Sequence, residues 1–232
     1  MRTAVVTETY PPELDGLAHL VARIVQHLHE RGHRIDLVRP AQQGERRGSD
    51  ASPAAAELRG LGVPLPTYRD LRCGLTRAAT LVERWQGDRP GVVHIATEGP
   101  LGWAVSRAAR QLAIPVSTDF RTNFPAYAAH YGFTWAQPNV LGYLRAFHNR
   151  SDLTVVPTGA LAAALDDAGF ERLKVVGRGD DFALFNPARR SERRRAIWGV
   201  APDQPVLLYV GRLAVEKNVD LVFDTCRAMR GR

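Results

Sequence analysis

Short apolar runs alternate with amphipathic helical stretches along most of this chain, and that alternation limits its fold more than any other feature. Residues 3–7, TAVVT, read as a short buried strand, and the stretch ETYPPELDG that follows carries the proline and glycine residues that break regular structure. From Leu17 the apolar residues Leu17, Leu20, Val21, Ile24, Val25 and Leu28 recur at three- and four-residue steps, and Gly32 stands where a left-handed helix cap belongs. Arg34 to Val38 supplies the next strand. The pattern continues through GVVHIA at 91–96, a helix over about 101–112, IPVSTDF at 114–120, a helix near 140–148, LTVVP at 153–157, a helix over 159–168 and LKVVG at 173–177. Strands joined by helices of this length need crossover connections, so they imply a parallel sheet covered on both faces. The expected fold class is a doubly wound α/β domain.

Two stretches interrupt the pattern. Residues 41–56, polar and rich in small side chains, read as a surface loop. Residues 179–204 read as a connection, punctuated by Gly179, Pro187 and Pro202 and holding one short helix in SERRRAIWG. After it, PVLLYVG opens a strand and EKNVDLVFDTCRAM a helix. The expected organisation is therefore a first domain over 1–178, a connection over 179–204, and the start of a second domain over 205–232. One strand and one helix cannot close a doubly wound domain, because the strand needs sheet neighbours and the helix a face to cover. The expectation is that the second domain is incomplete and that its strand is an unpaired apolar edge.

The chain carries 31 Lys and Arg against 24 Asp and Glu, a formal charge of +7. Such an excess suits phosphate-bearing ligands, an anionic membrane surface or nucleic acid, and equally a merely arginine-rich exposed surface. No nucleic-acid reading motif accompanies the charge, so nucleic acid is not expected as a partner. Cys73 and Cys226 have no metal-ligand spacing, so neither a zinc site nor a disulfide framework is expected. The beginning lacks a leader-like apolar run, and no window approaches the ~18 consecutive apolar residues of a membrane span. A cytoplasmic protein, soluble or peripheral to the membrane, is expected. The stretch from Tyr68 to Trp85 mixes arginines with Leu71, Leu75, Leu81, Val82 and Trp85, as either an interfacial helix or a buried amphipathic helix would.

Three constellations could carry chemistry. Asp15 and Gly16 open a helix after the first strand, where unpaired N–H groups and a glycine allow an anion to approach; Asp15 as a simple N-cap explains them too. Arg212 and Lys217 follow a strand and precede a helix, where a guanidinium fork and a point charge suit adjacent phosphates, or stand as solvated charges. Thr97 and Glu98 after one strand, and Asp119, Arg121, Thr122 and Asn123 after the next, bring polar groups to a shared crevice. Phe120, Phe124, Tyr127 and Tyr131 cluster nearby as wall or core. The chain has no GxGxxG, P-loop, GxSxG or HExxH sequence, which removes dinucleotide, P-loop and common hydrolase templates.

Taken together, TETYPPELDGLAHLVARIVQHLHERGH, VVHIATEGPLGWAV, TDFRTNFPAYAAHYG, VVPTGALAAALDDAGF, VVGRGDDFALFNP and LLYVGRLAVEKNVDLV resemble the retaining GT-B glycosyltransferases, and most of all a bacterial GDP-mannose-dependent α-mannosyltransferase branch acting on lipid or glycolipid acceptors. The resemblance implies a GT-B-like fold with one complete Rossmann-like domain and the first strand and helix of a second. It implies transfer of a hexose, mannose first, from a nucleotide diphosphate sugar with retention; GDP-mannose is the expected donor and a UDP-sugar the alternative, with no further cofactor and no metal. By the same resemblance Gly16, Arg212 and Lys217 bind the donor, and Tyr10, Asp15, Glu98, Arg121, Thr122 and Asn123 contact acceptor or sugar. No protein nucleophile is implied; cations would stabilise the leaving diphosphate.

The sequence departs from the family in two places. Arg121 stands where the family commonly has a histidine, and the family's E-x7-E element is absent. A chain shortened in this way could be an inactive remnant, or an acceptor- or membrane-binding module that needs a separate donor-binding chain. Its expected place is the cytoplasm, at the inner face of the plasma membrane.

Overall fold

A computed structural model describes residues 1–13, 15–42, 53–64, 72–121, 137–177, 179, 181–211, 213 and 217–230. They form two compact units, one built from the described residues up to Arg121 and from Asn139 to Gly177, the other from Gln137, Pro138 and those beginning at Gly179.

The first unit holds an eight-stranded sheet: β1 (Arg2–Val6), β2 (Arg34–Pro40), β3 (Ala56–Pro64), β4 (Arg72–Leu75), β5 (Val92–Ile95), β6 (Val116–Asp119), β7 (Leu153–Val156) and β8 (Leu173–Val175). Their order across the sheet is β4-β3-β2-β1-β5-β6-β7-β8. Every neighbouring pair is parallel except β3 and β4. The helices are α1 (Gly16–Glu30), α2 (Ala78–Gly87), α3 (Pro100–Gln111), α4 (Gln137–His148) and α5 (Gly159–Asp167). Strands run outward from β1 to β4 on one side, and the chain then returns to β1's other side with β5. The sheet therefore changes direction between β1 and β5, and in open α/β sheets ligands bind beyond the carboxyl ends of the strands at such a point.

Continuous burial along β1, with alternate side chains on opposite faces, shows why it is central. Ala4 and Val6 pack with Leu81, Trp85, Val105 and Ile95 beneath α2 and α3, whereas Val5 packs with Val21, Val25, Ile35 and Leu37 beneath α1. Both faces of the strand are thus dry, as a parallel interior strand requires. A third cluster, Phe120, Leu144, Val156, Leu165 and Phe170, joins β6 and β7 to α4 and α5. The sequence-derived α1 is realised in detail. Gly32, at φ 77°, donates to the His29 carbonyl, and the His33 N–H reaches back to Leu28, closing the helix as anticipated.

Three sequence expectations need correction. The loop placed at 41–56 gives way at Ala56 to β3, and a β3–β4 antiparallel edge, which the sequence pattern did not reveal, lies between β2 and α2. The interfacial-helix reading of 68–85 fails for its described part: α2 begins only at Ala78, and its Leu81, Val82 and Trp85 are core residues at 0%, 6% and 0% exposure. Tyr68 to Leu71 lie outside the described residues. The strand expected in PVLLYVG does not form; these residues have no ladder partner among the described residues, and Leu208 and Val210 are exposed. A strand exists only as a member of a ladder, so apolar content alone cannot make one.

The second unit contains a 3-10 turn (Pro187–Arg189), α6 (Glu192–Ile197) and α7 (Val219–Arg230). Ser191 caps α6 by accepting from the Arg194 N–H at 3.3 Å, and Arg195 folds back to donate to the Ala201 carbonyl at 2.6 Å.

Candidate functional site at the carboxyl edge of the sheet

The carboxyl ends of β1, β5 and β6 place a set of buried polar side chains around the switch point. Glu8 follows β1. Its backbone N–H donates to Thr97 Oγ1 at 2.9 Å, and its carboxylate accepts from the Leu101 N–H at 3.0 Å, so it caps α3 from the far side of the crevice. The N-cap residue of α3, Gly99, offers no side chain for this purpose. The Cys73 thiol and the Gly74 N–H also donate to Glu8, but burial dominates and pushes its pKa from the ordinary 4.5 to about 7, with repulsion from Glu98 adding to the rise.

Glu98 follows β5 and is 8% exposed. Its Oε1 lies 3.4 Å from Nε2 of the fully buried His148. His148 is held on its other side by Thr118 Oγ1, 2.9 Å from Nδ1, and by edge-to-face packing on Phe147. The Tyr143 hydroxyl donates to the Glu98 carbonyl at 2.5 Å and accepts from the Trp103 indole N–H at 2.9 Å.

On β6 and just beyond it, Ser117, Asp119 and Arg121 alternate onto one face. Arg121 donates from Nε to Asp119 Oδ1 at 2.5 Å, with the two side chains only 5% and 1% exposed. His94 of β5 joins them: Nδ1 lies 2.9 Å from Ser117 Oγ and Nε2 lies 3.8 Å from Asp119 Oδ2. Burial lowers the His94 pKa, Asp119 opposes that shift and Arg121 reinforces it, so the imidazole is neutral near pH 7. Among the described residues Arg121 Nη1, Asp119 Oδ2, Glu98 Oε1 and His148 Nε2 are buried without a hydrogen bond, the last two facing each other at 3.4 Å. Buried polar atoms are usually paired, so this cluster makes the edge a candidate for a ligand's polar groups.

The remaining sequence candidates take other positions, Asp15 still beyond the end of β1 and hydrogen-bonded by the Thr9 hydroxyl. Asp15 is the N-cap of α1, accepting from the Leu17 and Ala18 N–H groups at 2.6 and 2.9 Å. Gly16 begins that helix, and a methyl group added there would meet nothing within 4 Å. Tyr10 is 6% exposed in the core beneath α1, with the Arg39 guanidinium 5.6 Å from its ring centroid. Lys217 is exposed in the second unit, just before α7. Arg212, Thr122 and Asn123 lie outside the described residues, as do Phe124, Tyr127 and Tyr131. Sequence reasoning missed Glu8, His94 and His148; the first two border strand ends already assigned, whereas nothing local marked His148. Among the described residues, no group of three or more His, Cys, Asp or Glu could hold a metal ion.

Comparison with known proteins gives this geometry a context. A family model described as Glycosyltransferase Family 4 matches residues 14–183. A GDP-mannose-dependent α-mannosyltransferase of Mycobacterium tuberculosis is 30% identical over 222 residues, covering 95% of this chain and 58% of that protein. An α-monoglucosyldiacylglycerol synthase of Streptococcus pneumoniae is 26% identical over 234 residues, covering 96% of this chain and 51% of its own. Among solved structures, sucrose-phosphate synthase from Thermosynechococcus elongatus superposes with a TM-score of 0.71 at 16% identity, covering 95% of this chain and 58% of that one. At that identity the likeness speaks for the fold, which is the GT-B type expected from the sequence.

Proposed function

Because the chain belongs to Glycosyltransferase Family 4, we propose that it serves in the transfer of a hexose, mannose first, from a nucleotide diphosphate sugar to a lipid or glycolipid acceptor with retention of configuration. The observation that carries this reading is the buried Arg121–Asp119 pair at the carboxyl edge, with Nη1 of one and Oδ2 of the other making no hydrogen bond among the described residues. A sugar hydroxyl both donates and accepts, so it can satisfy a guanidinium N–H and a carboxylate oxygen at once. The same edge carries Glu98 and Asp119 against Arg121, together with a Glu8 whose pKa is pushed up to about 7, a balance that disfavours phosphate and favours neutral hydroxyl groups.

The donor's phosphates are accordingly assigned to Gly16, with open space above it, and to Arg212 and Lys217. Tyr10, Asp15, Glu98, Arg121, Thr122 and Asn123 are assigned to the acceptor or sugar. GDP-mannose is the donor proposed, with a UDP-sugar second; the catalytic effect rests on cations at the leaving diphosphate rather than on a protein nucleophile. The domain reading accompanies this one: an acceptor-side domain over 1–178, a connection over 179–204 and the start of a donor-binding domain from 205. A lipid acceptor would place the protein at the cytoplasmic face of a membrane, and none of the described helices is long and apolar enough to cross one.

A second reading is favoured by one observation. Among the described residues the second unit has no paired strand, which favours an acceptor-binding module completed by a separate donor-binding chain. Calorimetric titration of the 232-residue chain with GDP-mannose, UDP-glucose, GDP and UDP, followed by radiolabelled transfer to membrane lipids, separates the two. Donor binding with transfer supports the enzyme; lipid acceptor binding with no donor binding supports the module.

A further inference from the structure

We propose that a pocket at the opposite, amino-terminal edge of the sheet binds a small phosphate-bearing molecule. The pocket has a volume of about 400 Å³ and is lined by Ser106, Arg110, Ile114, Val116, Arg150 and Asp152, among others. It lies where α3 ends and where β6 and β7 begin, so it is separate from the carboxyl-edge groups described above. Its volume falls within the roughly 300–1,000 Å³ range of small-molecule sites.

The floor is apolar and dry, with Ile114 and Val116 at 4% and 5% exposure, and the buried Ser106 contributes a hydroxyl. Two guanidinium groups face this floor. Arg150 is held in place, donating from Nη1 to the Ala146 carbonyl at 2.8 Å and lying 4.9 Å from the Trp103 ring centroid. Arg110 makes no side-chain hydrogen bond or ion pair among the described residues, so its whole fork is available. A third guanidinium, that of Arg89, donates at 2.6 Å to the carbonyl of Ala113, itself a lining residue.

Asp152 is the acidic member of the lining, and its carboxylate is committed to the backbone, accepting from the Val116 N–H at 2.8 Å. It forms no ion pair with Arg110 or Arg150 among the described residues. The two lining guanidinium groups less one carboxylate leave one positive charge, the sign that a phosphate anion requires. The phosphate oxygens would receive the Arg110 fork and the Arg150 N–H groups as charge-assisted hydrogen bonds, which a single carboxylate could not saturate. The phosphate could come from a soluble metabolite or from a lipid headgroup, and the test distinguishes the two.

The full 232-residue chain is titrated with inorganic phosphate at constant ionic strength set by sodium chloride, following heat and the arginine Nε–Hε NMR signals. In parallel it is sedimented with phosphatidylglycerol vesicles, with phosphatidylcholine vesicles as the reference. The variants are R110A, R110K and R107A, the last an exposed arginine of the same helix outside the pocket lining. The expected result is saturable phosphate binding that weakens at least ten-fold in R110A, weakens less in R110K and is unchanged in R107A. Vesicle binding that depends on Arg110 without a response to free phosphate would assign the phosphate to a headgroup. No binding in either arm, or binding that R110A leaves intact, would overturn the proposal.

Discussion

The Glu8 carboxylate closes the amino end of α3 by accepting the Leu101 N–H at 3.0 Å, across 93 residues of sequence. One side chain thereby ties the end of β1 to the helix after β5 and, through Cys73 and Gly74, to β4. The carboxyl edge of the sheet is assembled around it, and its raised pKa gives the first prediction.

Glu8 titrates near 7 in the folded chain against 4.5 when free. A raised carboxyl pKa means that the folded state holds the proton more tightly than the unfolded one. The associated stability is therefore present below about pH 4.5 and is lost as pH rises toward and through 7, by an amount on the order of 3 kcal/mol. E8Q, neutral at every pH, should flatten the decline of stability between pH 5 and 7.5 by about one proton. Urea unfolding midpoints across that range measure it; an unchanged slope in E8Q would show that other groups set the pH dependence.

Gly99 is required by space at this same contact. A methyl group there would lie 2.2 Å from both Glu8 carboxylate oxygens, with the backbone at an ordinary φ of −78°. G99A should force the carboxylate off the α3 end and destabilise the chain by about 1–2 kcal/mol, the scale of a lost cap plus local overpacking. In the E8A background the added cost of G99A should largely vanish, and a double-mutant cycle in urea measures the coupling.

Removing Arg121 leaves Asp119 buried at 1% exposure without its counter-charge. R121A should cost about 3–5 kcal/mol, whereas the R121A/D119A double variant should be more stable than R121A alone. If hydroxyl recognition is the pair's task, a stable double variant should lose sugar binding at least ten-fold. Thermal unfolding together with calorimetry separates the two effects.

Trp85 is fully buried, and its indole N–H has no hydrogen-bond partner among the described residues. W85A should cost about 3–5 kcal/mol through the cavity it leaves. W85F should recover most of that loss, since it keeps an aromatic ring and removes the orphan donor. Chemical denaturation of both variants checks the order, and equal losses would contradict it.

Much of the fold is legible in the residues themselves. The strands β1, β2, β5, β6, β7 and β8 and the helices between them are written in local patterns: a short continuous apolar run for β1, three- and four-residue steps for α1, and glycine after the helix end at Gly32. Glu98 and Arg121 could be marked because they directly follow strands, where a parallel sheet presents its ligands.

Local pattern could not supply the partners. Leu81 and Trp85 have the same spacing whether their face meets lipid or core, and only the packing of α2 on the sheet decided for the core. PVLLYVG is as apolar as a strand, but strand formation depends on a neighbour's hydrogen bonds, and among the described residues none pairs with it. The β3–β4 edge, with Gly60, Gly62 and Gly74 close to other chain atoms, takes its form from contacts rather than from periodicity.

Composition and periodicity thus determined the doubly wound α/β class and which polar residues would follow the strand ends, because those depend on neighbours along the chain. The tertiary structure alone decided that Glu8 caps α3, that His148 faces Glu98 and that Arg121 is locked to Asp119 with one nitrogen left over. Each of these depends on burial and on side-chain distances across space, quantities that no stretch of sequence contains.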